Sequence, residues 1–272
     1  MPPDSSERLT RLAREFCGLE LGERRRLIAD ERLAALARAH GLDGVDPLLE
    51  RLFGDPSGRL AALVLDAIVP ADTAFFRDPR AFDALRTQLL PALIERRVAT
   101  RRLDVWCAGV STGQEAYSLL MLLRERFPML LSWRIHCVAT DAFERRVEFA
   151  RAGRYNRIEL NRGLEPRWIE RYFRRSQGAF EIDADLRSAV DFRVHNLLRA
   201  SMVEPGFDLV LLRHTLSHMT PSARESALRC VRSALRPDGF LMLGLGESEQ
   251  GAPADFEETP RTLGFAFAPR AA

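Results

Sequence analysis

Residues 103–127 read LDVWCAGVSTGQEAYSLLMLLRERF: an apolar run, a short polar stretch bounded by glycines, then apolar residues at helical spacing. An apolar run without alternation suits a strand covered on both faces, as in a parallel sheet. Such a strand, leading through Gly109, Ser111, Thr112 and Gly113 into a helix, is the first strand-loop-helix of a sheet that holds a nucleotide or cofactor at its carboxyl edge. The glycines would let the backbone approach a ligand closely. Glycines at this spacing are also ordinary turn residues, so the loop alone leaves both readings open.

The alternation continues downstream. RIHCVATD, ERRVEFARAG, FDLVLL, ARESALRCVRSAL and GFLMLGLG follow as strand, helix, strand, helix and strand, the pattern of an α/β sheet with crossover helices. Between them, a helix and two or three short strands around an SQG turn predict a small antiparallel β insertion over about 165–194. After a polar loop the tail predicts one last strand. Upstream, LTRLAREFCGL, RRRLIADERLAALARAH and GRLAALVLDAIV place apolar residues three and four apart, which predicts an N-terminal helical domain and linker over 1–80 and the sheet domain over 81–272.

Composition narrows the function. A chain of 272 residues, 46% hydrophobic and 29% charged, buries a sizeable core. Its 40 basic residues are all arginine, against 38 acids. Without lysine there is no Schiff-base chemistry and no phosphate-loop lysine. A net charge of +2 argues against a dedicated nucleic-acid binder, although Arg24-Arg25-Arg26 and Arg101-Arg102 are local basic clusters. Cys17, Cys107, Cys137 and Cys230 form no C-x-x-C pair and read as reduced core residues. No signal core and no apolar run of membrane-spanning length is visible, so the expected location is the cytoplasm, without membrane insertion.

Three further stretches bear chemistry. Asp141 ends the second strand, where an acid can bind ribose hydroxyls, but with Glu144 it also fits a helix capping box. VPADTAFFRDPRAF reads as a linker whose phenylalanines pack on the sheet, with Arg77 suited to gripping a carboxylate. LLRHTLSHM places His214 and His218 four apart, so one helical turn would give them the spacing of two zinc ligands. A zinc protease needs H-E-x-x-H and a third ligand. Thr215 stands in the glutamate's place, and no metal is expected.

Taken in order, TAFFRD, WCAGVSTGQEAYSL, ATDAFERRVEFARAGRY, NLL, FDLVLLRHTLSHM and ALRPDGFLMLGLGES resemble the chemotaxis receptor methyltransferases, the CheR family, over almost the whole chain. The resemblance implies a Rossmann-like S-adenosylmethionine methyltransferase sheet with an N-terminal helical domain and a small antiparallel β insertion. It implies a protein-glutamate O-methyltransferase that acts on the cytoplasmic domain of a chemoreceptor or a related signalling protein and releases S-adenosylhomocysteine. Carried over by position, Thr73 and Arg77 belong to the element that closes over the cofactor. Gly109, Ser111, Thr112 and Gly113 form the cofactor loop, Glu115 is its carboxylate, Asp141 the ribose acid, and Asn196 and Leu197 the adenine pair. Arg213 and His214 follow the fourth core strand, and His218 stands where the family carries tyrosine. Arg77, Arg213 and His218 are the expected catalytic residues. The alternative implied by these replacements is a cofactor-binding regulatory module with weak or lost transfer. Family members that dock on a receptor's C-terminal pentapeptide tend to carry a longer glycine-bearing loop in the insertion, so by the resemblance the short loop in RRSQGAFEI implies no pentapeptide tether.

Overall fold

The computed structural model describes residues 3–20, 23–56, 58–69, 71–199, 204–247, 253–260, 262 and 264–270, with backbone alone at 3, 4 and 23–28. The side chains of Arg24, Arg25 and Arg26 thus lie outside the described residues, as do residues 248–252 of the tail. The chain divides into two compact units, Met1–Ala71 with His218–Ser226, and Asp72–Ser217 with Ala227–Ala272. The division therefore falls at Ala71 rather than near residue 80.

The first unit is helical: Pro3–Cys17, Glu23–Ala39, Val45–Gly54 and Arg59–Ile68. Leu9, Leu33, Leu48, Leu52, Val64 and Leu65 are buried, the apolar positions that helical spacing stacks on one face. The segment 218–226 joins this unit through main-chain bonds. Met219 bridges Leu19, the Glu20 N–H donates to the His218 carbonyl at 3.1 Å, and the Thr220 N–H donates to the Gly18 carbonyl at 2.7 Å.

The second unit is built on strands β1 (Arg102–Ala108), β2 (Arg134–Asp141), β3 (Arg154–Tyr155), β4 (Phe173–Ser176), β5 (Ala179–Ile182), β6 (Val190–Val194), β7 (Phe207–Leu212), β8 (Leu235–Leu243), β9 (Phe256–Glu258) and β10 (Ala266–Pro269). Seven of them form one sheet in the order β6-β2-β1-β7-β8-β10-β9. Pairings from β6 to β8 are parallel, and β10 runs antiparallel between β8 and β9. The order reverses between β1 and β7, and ligands in open α/β sheets bind outside the carboxyl ends of strands at such a switch point. Both strands are covered: Leu103 to Ala108 and all of β7 are buried. At their amino ends Asp104 and Asp208 collect Arg97, Arg102, Arg236 and His136, which accounts for Arg102 by ion pairing within the fold.

Three local expectations differ from the structure. The antiparallel sheet is β3-β5-β4, so Arg154–Tyr155 joins it while Val190–Val194 pairs with β2 in the main sheet. The tail supplies two strands rather than one. The helix Glu144–Ala152 has Phe143 at its N-cap and no side-chain cap, so Asp141 and Glu144 form no capping box there; Asn156 and Glu159 form one instead. Ahead of β1, the helix from Pro79 to Arg97 passes through a π turn at Leu85–Leu89. Pro91, which has no N–H to donate, stands just beyond that turn. No described helix is long and apolar enough to cross a membrane.

Candidate functional site

The loop after β1 has the backbone that its glycines foretell. Gly109 (φ +71°) and Gly113 (φ +96°) are left-handed, and so is Ser111 (φ +52°). A Cβ on Gly109 would lie 2.5 Å from Thr215 Oγ1, and one on Gly113 would lie 2.9 Å from the Ala150 Cβ. Both positions therefore exclude a side chain on grounds of space as well as φ. The helix Gln114–Arg126 starts immediately after, so its unpaired N–H groups end at this loop.

Asp141 holds the loop in place. Its carboxylate accepts the Ser111 N–H at 2.9 Å and the Phe143 N–H at 3.1 Å, and the residue is 6% exposed. Next to it the His195 N–H donates to the Asp141 carbonyl at 2.9 Å, leading into Asn196 and Leu197. Asn196 folds its side-chain oxygen back on the Leu198 N–H at 3.0 Å, and Leu197 is buried. The loop and the acid and amide positions read from sequence thus converge at the carboxyl ends of β1, β2 and β6.

Arg213, at the end of β7, is the electrostatic centre. Its side chain is 2% exposed, and it donates to Glu115 at 2.6 Å, to the Asp78 carboxylate at 2.9 Å and to the Arg77 carbonyl at 2.7 Å. The Phe82 ring lies 5.4 Å from its guanidinium carbon. Burial works against ionisation of Asp78, yet the charges of His214 and Arg213 hold its carboxyl below the ordinary value. Arg77 itself is half-buried and donates to the Asp72 carbonyl at 2.5 Å, and Thr73 is half-buried on the same segment.

His214 does not start a helix. It is left-handed (φ +59°), its N–H donates to Glu247 at 2.7 Å, and its Nε2 meets Asp78 at 2.6 Å. Only Leu216–His218 forms a 3-10 turn, so the premise that His214 and His218 share one helical face fails. Among the described residues no three His, Cys, Asp or Glu side chains are grouped to hold a metal ion. Cys17, Cys107 and Cys137 are buried, Cys230 is half-buried, and none of the four is in a disulfide.

Four residues of this region escaped the sequence reading. Glu247 is buried and accepts the N–H groups of His214, Gly244 and Ser217, tying the loops after β7 and β8 together. Asp78 pairs with both Arg213 and His214. Gly163 (φ +138°) faces the Phe75 carbonyl so closely that a Cβ would lie 1.9 Å from it. Tyr155 donates to the Thr112 carbonyl at 2.8 Å. The usable signals were few: the acid directly after TAFFR, and the glutamate closing GLGE.

The donor set suits a cationic, ribose-bearing ligand. Two side-chain-free glycines line the loop, acids stand at 115 and 141, and the Ser111 Oγ and Arg213 Nε are two of several buried polar atoms in the described residues without a hydrogen-bond partner. Buried polar atoms left so are exceptional, and a ligand is one way to satisfy them.

Known proteins of one family are similar to this chain. The family described as "CheR methyltransferase, SAM binding domain" matches residues 71–265. The chain is 31% identical over 255 residues to Chemotaxis protein methyltransferase Cher2 of Pseudomonas putida, covering 92% of each chain. It is 30% identical over 252 residues to a chemotaxis protein methyltransferase of Vibrio parahaemolyticus, covering 91% of this chain and 90% of that protein. A chemotaxis protein methyltransferase of Salmonella typhimurium is 29% identical over 262 residues.

Proposed function

As the chain belongs to the CheR family of S-adenosylmethionine-dependent methyltransferases, we propose that it is a protein-glutamate O-methyltransferase acting in the cytoplasm on a chemoreceptor domain or a related signalling protein. The observation that carries this reading is the buried Arg213 set between Glu115 and Asp78, beside a glycine loop with an unpartnered Ser111 hydroxyl. S-adenosylmethionine supplies, when bound, a methyl group already activated on a sulfonium. Glu115 and Asp141 would hold its cationic and ribose parts, Thr73, Gly109, Ser111, Thr112 and Gly113 its cradle, and Asn196 and Leu197 its base.

The acceptor needs no base. A glutamate with a pKa near about 4.3 is a carboxylate at neutral pH, so the work left to the protein is alignment and exclusion of water. The site accords with this, because the His214 Nε2 is engaged by Asp78 rather than offered to a substrate proton. Arg77 and Arg213 are the cations proposed to orient the carboxylate. His218, in the family's tyrosine position, is the residue proposed to line the transfer site. Recognition without a pentapeptide tether is supported by the β4–β5 connection, which is a two-residue turn with Gln177 and Gly178 at φ +46° and +79°.

The test is transfer of labelled methyl from S-adenosylmethionine to a purified receptor signalling domain, with His218→Tyr in parallel. Label released as methanol by mild alkali identifies a carboxyl ester and supports the proposal. Base-stable label refutes the glutamate acceptor. Tight S-adenosylhomocysteine binding without transfer by either protein favours a regulatory module.

A further inference from the structure

The antiparallel sheet β3-β5-β4 lies apart from the parallel strands that carry the cofactor loop, yet one of its residues reaches that loop. Tyr155, on β3, is 1% exposed and donates its hydroxyl to the Thr112 carbonyl at 2.8 Å. The same hydroxyl would stand 3.2 Å from a Cβ on Gly113. Its ring meets Phe75 edge-on, with centroids 5.1 Å apart and planes at 77°. Phe75 is fully buried and also packs edge-on against Phe173 of β4, at 5.6 Å.

The segment 72–77 is fastened at other points. Gly163 leaves room for the Phe75 carbonyl, Arg162 pairs with Asp72 at 2.8 Å, and Trp168 packs on Phe76 with centroids 4.9 Å apart. The Phe76 N–H donates to Ser118 Oγ at 2.9 Å, on the helix that follows the cofactor loop. One tyrosine therefore touches both the loop and the segment that carries Thr73 and Arg77.

We infer that Tyr155 is a positioning residue for the cofactor site: its hydroxyl sets the Thr112–Gly113 backbone and its ring seats Phe75, with Gly163 admitting the Phe75 main chain. Burial pushes the phenol's pKa above its ordinary value and so favours the neutral, donating form. The inference rests on cofactor binding at the glycine loop and not on which group accepts the methyl. In that sense it deepens the function proposed above.

Tyr117 provides an internal control. It is equally buried, and its hydroxyl donates to the Ala150 carbonyl at 2.7 Å rather than to the cofactor loop, which it meets only through its main-chain N–H on the Gly113 carbonyl at 3.2 Å, a bond that Tyr117→Phe keeps. Calorimetric titration with S-adenosylhomocysteine, with urea denaturation alongside, separates the cases. Tyr155→Phe should weaken binding about five- to tenfold, the effect of one lost buried hydrogen bond. Tyr117→Phe should lower stability by a similar amount and leave affinity within about twofold of wild type. Gly163→Ala, which disturbs the Phe75 main chain directly, should also weaken binding in a folded protein. Equal loss of affinity in Tyr155→Phe and Tyr117→Phe, or none in Tyr155→Phe, overturns the positioning role. Failure of the wild-type protein to bind S-adenosylhomocysteine would instead overturn the cofactor site itself, and the inference with it.

Discussion

Replacing Glu247 by Gln changes one oxygen for an NH2 and removes one charge at constant volume. In the native protein the carboxylate is 2% exposed; Oε2 accepts the N–H groups of His214 at 2.7 Å and Gly244 at 2.9 Å, and Oε1 accepts that of Ser217 at 3.0 Å. An amide can offer its oxygen to the first two donors only by turning its NH2 toward the third. The Ser217 N–H is then left facing a donor, a loss of about 1–3 kcal/mol. The two surviving bonds lose their charge assistance, about 1 kcal/mol each. Against these, the neutral side chain recovers part of the cost of burying a carboxylate. The net expectation is a destabilisation of about 3 kcal/mol, well outside the ±0.5 kcal/mol or so of a surface substitution.

Urea denaturation followed by tryptophan fluorescence measures this in the right place, because Trp106, Trp133 and Trp168 all belong to the second unit. The same titration should show weaker S-adenosylhomocysteine binding, since Arg213 and His214 sit on the turn that Glu247 anchors. A change in unfolding free energy below about 1 kcal/mol would refute the reasoning. It would mean that the three N–H groups find other acceptors when the charge is removed.

Two other expectations are simpler to state. Asp141→Asn should lower S-adenosylhomocysteine affinity by about tenfold or more, because the loop loses its charged acceptor for the Ser111 N–H along with the proposed ribose contact; calorimetry that shows unchanged affinity sinks the assignment. His195 is buried against Trp106, and burial pushes its imidazole pKa down from 6.5. The unfolded chain therefore binds a proton that the folded one refuses, so stability is complete above pH 6.5 or so and falls as pH drops through that value toward the lower native one. Urea midpoints between about pH 7.5 and 5.5 should show this slope in the wild type and lack it in His195→Gln.

What could be read without coordinates was whatever depends on neighbours along the chain. The apolar runs Val105–Ala108 and Leu209–Leu212 dictate strands covered on both faces, and glycines at 109 and 113 accommodate the left-handed loop between strand and helix. Burial periodicity and φ preference are local, so composition and spacing report them directly. The resemblance of the ordered segments to a known family pointed to Asp141, Asn196 and Arg213, which lie at the carboxyl ends of β2, β6 and β7.

What the chain order could not show was which side chain answers which across the fold. Asp141 and Glu144 match a capping pattern, yet the acid's oxygens go to Phe143 and to Ser111, thirty residues back along the chain. His214 and His218 match a helical ligand pair, yet Glu247 draws the His214 N–H into a left-handed turn, and no helix forms there to align them. Gly163 and Tyr155 carried no local signature, and Asp78 and Glu247 only their places after TAFFR and at the end of GLGE, because each acts on a backbone group or charge brought near only by folding. Buried donors and charges must be paired wherever the chain happens to place a partner, and that choice belongs to the tertiary structure alone.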